Sequence, residues 1–320
     1  MPGAAVDPPP IAVWRGVDQV PRDLGPVVAV IGVFDGVHRG HRVIIDAASR
    51  QARASGARCV AVTFDPHPSE VVRPGTHPAL LATVARRAAL LGEAGIDGVL
   101  VLHFSPALAR LTPQEFVDRV LVEGLGAVAV VVGSNFRYGH RAVGSIETLR
   151  ESGQAAGFTV EGVDLVGEDG VTWSSTYVRQ CVAEGDIEAA AGALGRPHRI
   201  EGLVVHGDHR GRVLGYPTAN LSLPPHTAVP ADGVYAGWLR RADGATLPAA
   251  VSIGTNPTFD GSDRRVEAFA LDRDDLDLYG EHVAIDFAAR LRPMLRFDTV
   301  EALLAQMADD VRAAHAALVP

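Results

Sequence analysis

The chain has 320 residues, 47% hydrophobic and 21% charged, the composition of a soluble globular protein long enough for two domains. Its net charge of −9 excludes a general nucleic-acid binder, because no basic field would offset phosphate repulsion. All 29 basic residues are Arg, so a P-loop, which needs a Lys on its phosphates, is excluded as well. Any phosphate chemistry must use His, Arg, backbone amides and metal.

The N-terminal stretch MPGAAVDPPP has no basic region and no long apolar run, so a frayed, Pro-rich start is expected, neither a signal peptide nor a membrane span. Residues 27–33 are apolar and mostly β-branched and predict a buried parallel strand. The Gly-rich turn GVFDGVHRGH follows, and a helix is predicted after it. His38 and His41, three apart, share a face of the first helical turn. Backbone N–H groups and the helix dipole favour an anion there, which suggests a cradle for nucleotide phosphates. The glycines of this turn, both His and the strand–turn–helix setting point to nucleotidyl transfer, with charge on the α-phosphate and pyrophosphate neutralised without covalent catalysis.

Further strands are predicted at 58–64, 98–104, 127–133 and 158–164. Helical periodicity over about 81–94 stops at Gly95, and Thr112, Pro113 and Glu115 form an N-cap, first-turn Pro and capping box. Alternating strands and helices predict a doubly wound parallel sheet with ligands at the strand C-ends. Around 173–195 come two short helices, one capped by Ser174 or Ser175 and stopped at Gly185, the other stopped at Gly195. From 199 onward short apolar runs between turns predict an antiparallel β-barrel, closed by an amphipathic helix over about 298–315 with Asp298 or Thr299 as cap. The expected division is an α/β domain over 10–184 and a β-barrel domain over 185–320. Cys59 and Cys181 lack metal-ligand spacing and read as buried free thiols of a reducing, cytoplasmic protein. The acidic run DRDDLDLYG lacks the spacing of a calcium loop, and His67, His77, His103 and His140 lack the grouping of a zinc site.

The motif G-x-F-D-G-x-H-x-G-H resembles the nucleotidylyltransferase signature of the bacterial bifunctional riboflavin kinase/FAD synthetases. The resemblance continues in order through TFDPHP, VGSNFRYG, SSTYVR, GYPTANL, PADGVYAG, SIGTNPTF, VEAF and DLYG, and so spans nearly the whole chain. It implies a Rossmann-like FMN adenylyltransferase domain followed by a riboflavin kinase barrel, with ATP as co-substrate, flavins as substrates and products, and Mg²⁺ as cofactor.

By that resemblance Gly32, Phe34, Asp35, Gly36, His38, Gly40 and His41 form the ATP site, with Thr176 and Arg179 approaching the triphosphate from the other side. Arg suits a bidentate grip on phosphate. Asn135 and Arg137 match the flavin side, where Asn135 read alone is equally a turn residue. In the kinase half, Gly207, Arg212 and Gly215 belong to a Gly-rich nucleotide loop; such a loop read alone is equally an ordinary turn. Thr218 and Asn220 offer hard oxygen ligands to Mg²⁺, and Glu267 matches the general base. Read alone, Glu267 is an outward strand residue paired with a neighbouring Arg. The chain departs from the family's common residues at Arg42, Asn135 and Ser145. Two rival functions stand beside this one: transfer of a nucleotidyl group to another phosphorylated acceptor, and non-enzymatic flavin binding by a regulator.

Overall fold

The structure, a computed structural model, describes residues 11–164, 166–168, 170–207, 216–258, 261–273 and 275–318. The chain divides into two compact units, Met1–Pro78 with Ala82–Ser174, and Ala79–Leu81 with Ser175–Pro320.

In the first unit β1 (Ala12–Trp14), β2 (Val27–Ile31), α1 (Arg39–Ser55), β3 (Arg58–Asp65), α2 (Pro68–Val72) and α3 (Val84–Glu93) come first. Then follow β4 (Gly98–His103), α4 (Pro113–Phe116), β5 (Ala127–Gly133), α5 (Ile146–Ala156), β6 (Thr159–Val163) and a small hairpin, β7 (Gly167–Glu168) with β8 (Val171–Thr172). Six strands form one parallel sheet in the order β1-β4-β3-β2-β5-β6. The doubly wound sheet is as expected, apart from the extra strand β1. Its three residues are too few to show a period, and their pairing with Gly98–Leu100 is non-local.

Every residue of β2 is buried. Successive side chains go to opposite faces, as a pleated strand requires. Val27, Ala29 and Ile31 pack on one face with Phe116, Leu121 and Leu149. Val28 and Val30 pack on the other with Ile45, Leu90 and Leu91. A buried Val contributes about 1.5–3 kcal/mol, so a strand apolar on both faces is the anchor of this unit. The chain runs outward from β2 through β3 and β4, then returns to the other side of β2 at β5. The switch point therefore lies between the C-ends of β2 and β5, where open α/β sheets bind ligands.

The expected capping box is present: Thr112 Oγ1 accepts the Glu115 N–H at 3.2 Å, and Glu115 accepts the Thr112 N–H at 2.8 Å. Cys59 and Cys181 are free and buried. Burial pushes the Cys59 thiol up to about 11, which keeps it protonated and inert.

The second unit holds α6 (Ser175–Glu184), α7 (Ile187–Leu194), six strands and a last helix. The strands are β9 (His198–Val205), β10 (Ala219–Ser222), β11 (Gly233–Arg241), β12 (Thr246–Thr258), β13 (Gly261–Ala270) and β14 (His282–Arg292), and the helix is α8 (Val300–Leu318). The strands close into an antiparallel barrel in the order β10-β13-β12-β11-β14-β9. Along β9 burial alternates residue by residue, the signature of one face toward a core. Ile200, Leu239, Val251, Ile253, Ile285 and Phe287 fill the interior.

α8 is capped by Thr299, whose hydroxyl accepts the Ala302 N–H at 3.1 Å. It is tied to the barrel by Arg292, which donates to both Asp310 oxygens at 2.7 and 2.6 Å. On the barrel wall buried Asp286 accepts from Arg199 at 2.6 and 2.8 Å and from Arg240 at 2.5 Å. Arg290 closes α6 on the barrel, donating to the Glu184 and Asp232 carbonyls at 3.1 and 2.9 Å. Among the described residues no helix is long and apolar enough to cross a membrane.

Candidate functional site

Each unit carries its own cluster of the residues singled out in the sequence. In the first, the chain leaves β2 at Gly32 and makes a tight turn before α1. His38 is the N-cap of α1: its Nδ1 accepts the His41 N–H at 3.3 Å. With Nδ1 an acceptor, the His38 proton is assigned to Nε2, where it is a donor. The His38 and His41 rings stack with centroids 3.6 Å apart, and the edge of Phe34 meets His41 at 5.2 Å. Two imidazoles thus stand together at a helix N-terminus, beside amides that already favour an anion.

The turn is held from inside. Asp35, 0% exposed, accepts the Ala82 N–H at 3.1 Å. Phe34 and Val37 lie at φ 53° and 40°, left-handed values that side-chain-bearing residues rarely adopt. Gly40 serves for space, since a Cβ there would lie 2.8 Å from the Trp173 carbonyl oxygen and 3.0 Å from the His38 ring. Gly32 is likewise packed, against the Phe34 ring. Arg39 lies over the Trp173 ring at 5.1 Å.

Beside this turn at the switch point, the segment after β5 carries Asn135 and Arg137, both exposed. Half-buried Phe136 between them stacks on buried Tyr138 at 5.5 Å. Ser145, one of the departures, is the N-cap of α5, where its hydroxyl accepts the Thr148 N–H. Thr176 and Arg179 lie on α6 of the second unit, where Arg179 Nε donates to the Ala79 carbonyl at 2.7 Å.

In the barrel, β10 and β13 pair so that Asn220 lies directly opposite Glu267. Thr218 is two residues before Asn220, and its hydroxyl donates to Glu267 Oε2 at 3.3 Å. The flanking Ala219, Leu221, Val266 and Ala268 turn into the core, so Asn220 and Glu267 share the other face. Among the described residues the hydrogen bond that Glu267 receives comes from Thr218, not from the Arg partner its pattern suggests. Gly207 joins the cluster, since a Cβ on it would meet Asn220 Cγ at 2.6 Å. Arg212 and Gly215 lie outside the described residues.

Thr218, Asn220 and Glu267 offer hydroxyl, amide and carboxylate oxygens, hard donors that suit Mg²⁺. Among the described residues no group of three or more His, Cys, Asp and Glu could hold a metal ion. His67 caps α2, accepting the Ser69 N–H at 3.2 Å, and His140 Nδ1 lies 3.1 Å from the Ala109 carbonyl oxygen. Both occupy structural positions.

The resemblance places Asp35 in the site, but not its hold on Ala82, 47 residues away. Arg87 is not singled out by sequence: on α3 it reads as a surface charge, yet it is 3% exposed.

Comparison with known proteins follows the same division. The FAD synthetase family matches residues 20–177, and the riboflavin kinase family matches residues 194–318. The bifunctional riboflavin kinase/FMN adenylyltransferase of Pseudomonas fluorescens is 41% identical over 96% of this chain and 97% of its own length. Its counterpart in Escherichia coli K12 is 36% identical over 92% of this chain and 93% of its own length. A crystal structure described as a macrolide-efflux protein from Streptococcus pneumoniae has 32% identity and a TM-score of 0.86, covering 96% of this chain and 99% of that one. The chain belongs to the bifunctional riboflavin kinase/FMN adenylyltransferase family.

Proposed function

We propose that this chain phosphorylates riboflavin to FMN in its barrel and adenylylates FMN to FAD in its α/β unit, as a cytoplasmic enzyme acting on small molecules. The observation that best supports the pairing is that two separate clusters of phosphate chemistry occur in one chain. One is the stacked His38–His41 pair at a helix N-terminus, and the other is Thr218, Asn220 and Glu267 across two barrel strands.

In the barrel, Glu267 accepts the proton of the flavin ribityl 5′-hydroxyl as its oxygen attacks the γ-phosphorus of ATP and ADP departs. Thr218 and Asn220 would hold Mg²⁺, which when bound neutralises charge on the phosphates. The Thr218 hydroxyl orients the Glu267 carboxylate by its hydrogen bond. Gly207, with Arg212 and Gly215, covers the nucleotide.

In the α/β unit an FMN phosphate oxygen attacks the α-phosphorus of ATP and pyrophosphate leaves. Here His38 and His41 neutralise charge on the α-phosphate and the leaving group, aided by the α1 amides. The turn residues Gly32, Phe34, Asp35, Gly36 and Gly40 shape the cradle. Asn135 and Arg137 contact the flavin.

One incubation tests this. Riboflavin, ATP and Mg²⁺ are mixed with the protein and the products resolved chromatographically. FMN and then FAD are expected. FMN alone would remove adenylyl transfer from the α/β unit, and neither product would leave a flavin-binding protein.

A further inference from the structure

Arg87 is a buried cation that none of the chemistry above uses. It sits on α3, and a fully buried Arg is rare unless it is paired. Its NH1 donates to Thr63 Oγ1 at 3.1 Å and to the Phe64 carbonyl at 3.0 Å. Thr63, 1% exposed, donates in turn to the Val33 carbonyl at 2.9 Å. One guanidinium therefore grips the end of β3 and, through a single hydroxyl, the chain as it leaves β2.

The next residue, Phe34, opens the strained turn. Left-handed φ at a side-chain-bearing residue costs about 1–3 kcal/mol and persists only where the surroundings impose it. Phe34 and Val37 both carry such φ values, and Val37 is β-branched, where the penalty is greatest. A relay that fixes Val33 on one side and the N-cap of α1 on the other leaves the turn little freedom. Burial lowers the Arg87 pKa, while the carboxylates of Asp35 and Asp65 raise it, so the guanidinium stays charged and balances them.

We propose that Arg87 is a positioning residue for adenylyl transfer, acting through Thr63 and Val33 to hold the Phe34–His38 turn, and with it the His38–His41 pair, in the reactive arrangement. This rests on the reading of that turn as the adenylyl-transfer site.

The test uses full-length Arg87→Met, Arg87→Lys, Thr63→Val and His41→Ala, each assayed for FAD formation from FMN and for riboflavin phosphorylation. The second activity reports folding of the same molecules. Arg87→Met should lose about 10- to 100-fold in kcat for FAD formation, the scale of a sub-ångström displacement of reacting groups, with KM for FMN within about twofold. Riboflavin phosphorylation should be unchanged. Arg87→Lys should recover part of the loss, because it restores the charge and one donor. Thr63→Val, nearly the same shape without the hydroxyl, should lose about 3- to 10-fold in the same direction. If Arg87→Met abolishes both activities, it has unfolded, and Thr63→Val decides. A full rate in Thr63→Val, or Arg87→Lys no better than Arg87→Met, overturns the inference while an inactive His41→Ala leaves the site reading standing. A full rate in His41→Ala overturns the site reading itself, and the inference with it.

Discussion

Gly40→Ala sets two effects against each other that the structure separates. The residue lies in the first turn of α1. There Ala is the better helix former, by about 1 kcal/mol. The added methyl, however, would sit 2.8 Å from the Trp173 carbonyl oxygen, about 0.6 Å inside an ordinary 3.4 Å contact, and 3.0 Å from the His38 ring. The carbonyl belongs to the backbone and yields little, so the displacement falls on the N-terminus of α1 and the His38 imidazole. Overpacking of this kind costs about 1–3 kcal/mol, so the net change in stability is small, about 0–2 kcal/mol. The change in rate is not small, since a displacement of about half an ångström at the reacting groups lowers kcat about 10- to 100-fold. The assay is steady-state FAD formation from FMN, with riboflavin phosphorylation by the same sample and a melting curve as controls. FAD formation within about twofold of the parent would refute the packing argument, and so would equal loss of both activities.

Gly207→Ala is the counterpart in the barrel: its Cβ would meet Asn220 Cγ at 2.6 Å, so riboflavin phosphorylation should fall about 10-fold or more while FAD formation from supplied FMN holds, measured in the two separate assays. Asp286→Asn should destabilise the second unit by about 2–3 kcal/mol, seen as a lower melting transition, because it removes the charge that Arg199 and Arg240 grip on a buried side chain. Burial alone would raise the Asp286 pKa, but the two Arg hold it below the usual carboxylate range. Its stabilisation is thus complete above the unfolded value of about 4 and is lost as pH falls below it, so the gap between parent and Asp286→Asn should close in acid.

Local signals were the most legible part of the fold. The Thr112–Glu115 capping box, the glycine-punctuated helices before the barrel and the apolar run of β2 depend on neighbours in sequence, and all three appear as expected. β1, β7 and β8 lie outside the strands that the sequence predicts. β1 is three residues long and β7 and β8 two each, so none shows a period. The candidate site divides the same way. The pairing of His38 and His41 follows from their spacing on a helix, whereas the N-cap role of His38 needs the helix start, which sequence fixes only to within a residue or two. Asn220 opposite Glu267 is a matter of strand register, 47 positions apart and invisible to periodicity. Arg87 is the clearest case: a charged residue in an amphipathic helix reads as solvent-facing, and only the packing of α3 over the end of β3 buries it.

The division of two chemistries between two units is tested most directly by Glu267→Ala and His41→Ala, each assayed for FMN formation from riboflavin and, separately, for FAD formation from supplied FMN. Glu267→Ala should abolish the first and leave the second. His41→Ala should slow the second by about 100-fold or more, the scale of losing one charge-stabilising donor, and leave the first. Equal loss of both activities in either variant would contradict the assignment of one reaction to each unit.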